Sequence, residues 1–506
     1  MKHMKKFVSL LLTAVMVLAM SMTAFAADTY SITINNSAEG HTYEAYQIFT
    51  GDLSGTTLSN IVWGSGVSED GKTALGNAAT KAEKLKTEAD AKAFAKEVAP
   101  YLTTAAGSAS TVTDGKYEIS GLAAGYYLVK DKDDSLTNKD DAYTSYILKV
   151  VGNIELSPKS AKPTVDKQVW DEIDDAEAGA TDGWGESADH AINESFQFKL
   201  IANLPADTDF NAYEKYKVIF TDTMSEGVTF ESIDSVTVDG VTLEAGQYSC
   251  TANANQAGGS WTLTIDDIKS ISEVNLTEGA DIVVIYNAHL NENAQVNHAS
   301  GTTTNKNTVG LQYSNNPNAS GEGNEELGKT PEDSVWVFTY EVDNTKVDAT
   351  DSKNKTPLAG AGFRLYDSTG TTEIGLIYDK TLSAYRPVKS GETAVEMTSA
   401  ADTGVFNIKG LDAGTYVLKE TTVPAGYNKC ADTTVVIKAT HSENADGTSA
   451  TTTLTSDSNV TNTIENKQGS TLPETGGMGT TIFYVLGTIL VLGAAIMLIT
   501  KRRMNK

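Results

Sequence analysis

From Pro163 to Asn466 the chain is written almost entirely in short runs of alternating apolar and polar residues, each closed by Gly, Asn, Asp or Pro. Runs such as QFKLIANL, YKVIFTDT, VTFESIDSVTVDG, WTLTIDDI, ADIVVIYNAHL and TVGLQYS put every second side chain on one face, the period of a half-buried strand and not of a helix. So many strands of this kind, with turn signals between them, can bury their apolar faces only by stacking sheet on sheet. The stretch therefore predicts tandem β-sandwiches. The linker NNPNASGEGNEELGKTPED divides it, giving one expected domain over 161–328 and another over 329–467.

Residues 27–160 read differently. Strands such as TYSITINN, HTYEAYQIF and TSYILKVV flank one helix-like stretch, TALGNAATKAEKLKTEADAKAFAKEVAPYL. In it Leu75, Ala78, Ala82, Leu85, Ala89 and Phe94 recur near helical spacing, so one face should pack on a sheet. The expected fold class is mostly β: tandem Ig-like sandwiches behind an N-terminal α+β domain with one helix-rich insertion. Only Cys250 and Cys430 are present, far apart, so disulfides are not the staples of this fold.

The two ends set the compartment. Lys2, Lys5 and Lys6, an apolar run from Phe7 to Met20, and Ala24-Phe25-Ala26 spell a secretory signal over 1–26 with cleavage after Ala26. Residues 480–500 form an uncharged apolar span of bilayer length, and Lys501, Arg502, Arg503 and Lys506 in the 501–506 stub keep the C-terminus cytoplasmic. The exported body between them is acidic. Formal charge is −27, and the segments at both ends remove seven cations and no acid, so a nucleic-acid partner is excluded.

Within the 468–476 tether, Leu472-Pro473-Glu474-Thr475-Gly476, followed by the span and the basic stub, resembles the sorting signal of Gram-positive surface proteins. The resemblance implies that a sortase thiolate attacks the Thr475 carbonyl and releases Gly476 onward, leaving an acyl-enzyme that needs an amine. Lys159, after Pro158 at the end of the first domain, resembles the linking lysine of shaft pilins, although Leu156-Ser157 stand where that family has a hydrophobic residue and Tyr. Lys162 is the rival amine.

The third domain resembles the B-type domain of collagen adhesins and pilins through NTKVDAT, TPLAGAGFRLYD, GLDAGTYVLKETTVPAGY and NTIEN. That resemblance implies an amide between Lys346 on the first strand and Asn466 on the last, assisted by Glu420. Burial would strip the lysine of its proton and leave the acid protonated, as the reaction needs. The middle domain is similar to the second domain of shaft pilins, with Lys167, Asp222 and Asn307 in the same roles. Asn305 shares the parity of Asn307 and is the alternative. GLAAGYYLVKD in the first domain echoes GLDAGTYVLKE, setting Asp131 where Glu420 stands, but the opening strand there has no lysine and no bond is expected.

Other motifs fail on context. GNEELGKT satisfies a phosphate-loop spelling, yet no apolar strand precedes it and Pro331 follows where a helix should run. DKDDSLTNKDD lacks the glycine and closing glutamate of a calcium loop. The six histidines show no metal-ligand spacing, no metal or cofactor is implied, and no constellation for turnover of an external substrate appears.

The mature chain resembles a Gram-positive sortase-assembled backbone (major shaft) pilin with tandem Ig-like (Cna A/B-type) domains. The resemblance implies a pilus-type sortase, identical subunits in a covalent fibre, minor or tip pilins and peptidoglycan as partners, with a host or surface ligand beyond them, at the cell wall and outer surface. The alternative is a monomeric wall-anchored adhesin in which Lys159 is idle.

Overall fold

The computed structural model describes residues 29–55, 57–136, 143–150, 152–156, 162–172, 182–206, 210, 213–302, 304–316, 327–445, 447–469 and 478–504. The N-terminal body is built on a pair of small sheets that face each other. One sets Tyr30–Ile34 between Tyr117–Leu122, antiparallel, and Ile154–Leu156, parallel. The other runs Thr57–Trp63, Tyr43–Ser54, Gly125–Asp131, Ser145–Val150. Ile32, Ile34, Tyr43, Ala45, Tyr127 and Val129 fill the space between them.

The single helix-like stretch is three helices: Glu69–Leu75, Ala78–Lys84 and Glu88–Val98. Local chemistry explains the breaks. Gly76 takes φ +81°, a left-handed value that ends the first helix, and the Asn77 side chain accepts from Thr80 N to open the second. Thr87 and Asp90 form a capping box that starts the third. Most of the expected face packs on the sheet, with Phe94 stacked on Phe49 at 5.5 Å, whereas Ala89 is exposed.

The middle sandwich is organised by one strand, Val218–Val238. Its first half pairs with Asn305–Ser314 and Gln256–Ile265, and its second half with Ala280–Leu290. The register slips between Met224 and Thr229, and such a bulge lets one strand bend across two layers. Thr164–Trp170 and Ser195–Leu204 extend the layer beyond Ala280–Leu290. Inward residues alternate as the sequence predicts: Phe198, Leu200, Phe220, Val284, Tyr286, Val309 and Leu311 lie in the core.

The third sandwich stacks two sheets. One centres on Tyr340–Asp348, paired with Ile408–Leu411 and, in parallel, with the last strand Thr461–Asn466. The other runs Glu373–Ile374, Gly362–Tyr366, Gly414–Thr422, Thr433–Ile437. Val342, Phe363, Leu365, Phe406, Ile408, Leu418, Val435 and Ile464 form its core. The strand Asp333–Phe338 belongs to both sandwiches, sending Val335 and Val337 into the middle core and Trp336 and Phe338 into the third. The molecule is thus mostly β, as expected.

A helix, Met478–Met504, covers the sequence-predicted span. Among the described residues no helix is long and apolar enough to cross a membrane. The described apolar side chains of this helix join none of the hydrophobic cores. Those at Tyr484, Leu490, Val491 and Met497 are all exposed.

Candidate functional site

In the third sandwich, alternation puts one chemical group from each of three strands into the same dry space. Tyr340–Asp348 buries Val342, Asn344 and Lys346; Gly414–Thr422 buries Leu418 and Glu420; Thr461–Asn466 buries Ile464 and Asn466. Parallel pairing sets Lys346 opposite Ile464 and Asp348 opposite Asn466, so the lysine can reach the end of the last strand. Lys346 Nζ donates to Asn466 Oδ1 at 2.6 Å, and Asn466 Nδ2 donates to Glu420 Oε1 at 2.7 Å. The Lys346 amine lies 3.4 Å from the same carboxylate oxygen, and both side chains are wholly buried.

The far carboxylate oxygen accepts from Cys430 N at 2.8 Å, which fixes the carboxyl plane. Phe363, stacked on Phe406, lies under the amine at 5.3 Å from its ring centroid. One carboxyl group thus touches both the amine and the amide it faces, the arrangement for moving a proton between them.

The middle sandwich also pairs a buried lysine with a buried acid, but here a tyrosine hydroxyl, and not the acid, meets the asparagine. Lys167, wholly buried on Thr164–Trp170, donates to Asp222 Oδ2, itself wholly buried on Val218–Val238. Burial pulls the Lys167 ammonium below its ordinary pKa against the opposing pull of Asp222, and burial pushes the Asp222 carboxyl up. Both shifts favour the neutral forms, an amine beside a carboxylic acid.

Tyr286 completes the set and was not anticipated from the sequence. Its hydroxyl lies 3.3 Å from Lys167 Nζ and 3.2 Å from Asp222 Oδ2, and it accepts from Asn307 Nδ2 at 2.6 Å. Burial raises its own ionisation well above the ordinary range, so it acts as a neutral hydroxyl. Phe198, Phe230 and Trp261 pack around its ring at 5.3, 5.6 and 5.1 Å.

The two candidate asparagines are separated by their partners. Asn305 accepts from Gln295 N at 2.8 Å and donates to the carbonyls of Gln295 and Val337, so it pins a loop. Asn307 points at Tyr286, and its buried Oδ1 has no hydrogen-bond partner among the described residues.

In the N-terminal body Asp131 is buried, as its echo of Glu420 suggests, but it meets a histidine. His41 Nδ1 lies 2.8 Å from Asp131 Oδ1, while Oδ2 accepts from Thr144 N and Oγ1 at 2.8 and 2.9 Å. Gly328 and Lys329 of the phosphate-loop spelling lie in the strand Leu327–Lys329, not at a helix start. Ala26, Lys159 and Leu472, Pro473, Glu474, Thr475 and Gly476 lie outside the described residues. Lys162, the rival amine, is half-buried.

Known proteins carry the same architecture. Residues 343–466 match the prealbumin-like fold domain SpaA, and residues 464–506 match the LPXTG cell wall anchor motif. The trypsin-resistant surface T6 protein of Streptococcus pyogenes serotype M6 is 25% identical over 574 aligned residues, covering 96% of this chain and 98% of that protein. The chain is similar to this surface protein over almost its whole length. A solved T6 backbone pilin of serotype M6 Streptococcus pyogenes, described as a modular three-domain structure with variable loops and extensions, shares the fold. It superposes with a TM-score of 0.53 at 18% identity, covering 88% of this chain and 100% of that one. The anchor motif puts the chain at the cell wall and outer surface.

Proposed function

We propose that the chain is the structural repeat of a covalent surface fibre and that it crosslinks itself. The observation that carries this reading is the buried Lys346, Glu420 and Asn466 trio, with one carboxyl in contact with both an amine and an amide. The Lys346 amine attacks Asn466 Cγ, the bond from Cγ to Nδ2 breaks, and ammonia leaves with the proton that Glu420 passes across. Lys167 and Asn307 react likewise with Asp222, and the Tyr286 hydroxyl holds the amide in line. Each acid acts once on its own chain, and no external substrate is turned over.

Between subunits, a pilus-type sortase joins Thr475 of one copy to Lys159 of the next and passes the last copy to peptidoglycan. The C-terminal helix holds the precursor at the membrane until that exchange. Minor or tip pilins and a surface ligand complete the assembly.

Intact mass of the exported chain tests the internal chemistry. Two amides lower the mass by about 34 Da, roughly 17 Da for each ammonia released. A mass equal to that of the unlinked sequence would sink the proposal. The same measurement assigns the middle acceptor: Asn307→Ala is expected to keep only the third-domain loss, whereas Asn305→Ala keeps both. The opposite pattern would move the acceptor to Asn305.

A further inference from the structure

Where the middle and third sandwiches meet, three side chains far apart in sequence converge in a dry pocket. Asp171 follows the strand Thr164–Trp170, Asp189 ends the strand Ser187–Asp189, and His441 comes from Ala439–Glu443 of the third sandwich. Their exposures are 2%, 1% and 3%. Ser187–Asp189 runs parallel to the shared strand, Asp189 opposite Phe338, which carries it into the junction.

His441 Nε2 lies 3.1 Å from Asp171 Oδ2 and 3.8 Å from Asp189 Oδ2. Charge-assisted hydrogen bonds are shorter, about 2.7–2.9 Å. The two separations instead bracket the roughly 3.3 Å between neighbouring donors on a tetrahedral Zn²⁺ with bonds near 2.0–2.1 Å. The surroundings are those of ligands held in place from behind: Ser187 Oγ meets His441 Nδ1 at 2.9 Å, and Tyr340 OH donates to Asp189 Oδ2 at 2.8 Å.

A second observation points to a missing positive charge. Asp189 Oδ1 is buried without a hydrogen-bond partner among the described residues. Beside it stand His190, Glu194 and Asp412, each offering a ligand atom within 4.8 Å of the others. His190 Nε2 is engaged by the Trp170 carbonyl at 2.8 Å, which leaves the buried Nδ1 as a lone pair without a partner. Among the described residues no lysine or arginine pairs with any of these four acids.

We propose that this junction binds one Zn²⁺ through Asp171, Asp189 and His441, so that the metal clamps the middle sandwich to the third. One imidazole with two carboxylates and an open fourth position is a zinc donor set. Because the ligands come from both sandwiches, the cation would stabilise their relative placement and not either core alone.

The test uses the full-length chain purified in detergent, stripped with a chelator and dialysed against Zn²⁺. Metal is counted by inductively coupled plasma mass spectrometry, and melting is followed with and without zinc. About one zinc per chain and a melting temperature raised by zinc are expected. His441→Gln and Asp189→Asn should each weaken zinc binding on the order of a hundredfold, while His289→Gln, whose imidazole pairs with Glu231 and with none of the three ligands, leaves it unchanged. A wild-type chain that retains no zinc and melts identically in its presence overturns the proposal without recourse to any variant. In that case the junction is a buried imidazolium between two carboxylates. Zinc bound as tightly by both junction variants as by wild type would also overturn it, because the metal would then sit elsewhere.

Discussion

Glu420→Gln is expected to lower the melting temperature of the third sandwich by on the order of 20 °C and to restore about 17 Da of intact mass. Glutamine keeps the volume and a carbonyl acceptor for Cys430 N, so little packing is lost. It cannot take and return a proton, so the Lys346 amine and the Asn466 amide stay unlinked. The lysine and asparagine lie 120 residues apart, and tying them closes nearly the whole third sandwich into one loop. In the chain-entropy account a crosslink over ~100 residues is worth about 4.7 kcal/mol. A domain of this size moves roughly 4 °C per kcal/mol. Differential scanning calorimetry, with the mass measured on the same sample, separates the causes. A large drop in melting temperature with no change in mass would mean that Glu420 holds the core as an ion-pair partner and that no amide forms.

The third-sandwich trio was legible because three independent patterns agree on it. Lys346, Glu420 and Asn466 each share strand parity with apolar neighbours, and a charged or amide side chain in such a row needs a partner inside. Tyr286 obeyed the same rule and was still missed. In ADIVVIYNAHL it alternates with Ile282, Val284 and Ala288, so it reads as one more core aromatic. The signal was its hydroxyl, which when buried must find a polar neighbour.

The breaks in the N-terminal helical region were also written in the sequence, as Gly76-Asn77 and as Thr87 three residues before Asp90. Periodicity alone does not see caps. His41 in place of a lysine, Cys430 N behind Glu420, and the meeting of Asp171 and Asp189 with His441 belong to another class. They are set by how loops and sheets approach one another, and no spacing along the chain encodes them.

Lys159→Ala is expected to abolish the covalent fibre outright. In cells that carry the cognate sortase, wall-released wild-type protein should run as a ladder of high-mass rungs on a denaturing gel, and the variant as a monomer. The size of the effect follows from the chemistry: an acyl-enzyme at Thr475 has no route to polymer without an amine, and partial activity is not available to a side chain that lacks nitrogen. Lys159 lies between the last strand of the N-terminal body, Ile154–Leu156, and the first strand of the middle sandwich, Thr164–Trp170. Thr475 lies nine residues after Asn466, the end of the last strand, in a different region of the chain. Donor and acceptor are therefore different segments of the chain, and a head-to-tail join between different segments grows without closing. A ladder that survives the substitution would transfer the linking role to Lys162 or another lysine. A single band from both proteins would mean that the chain stands on the wall as a monomer. The internal amides would then serve to resist unfolding in one adhesin, and would transmit no load along a fibre.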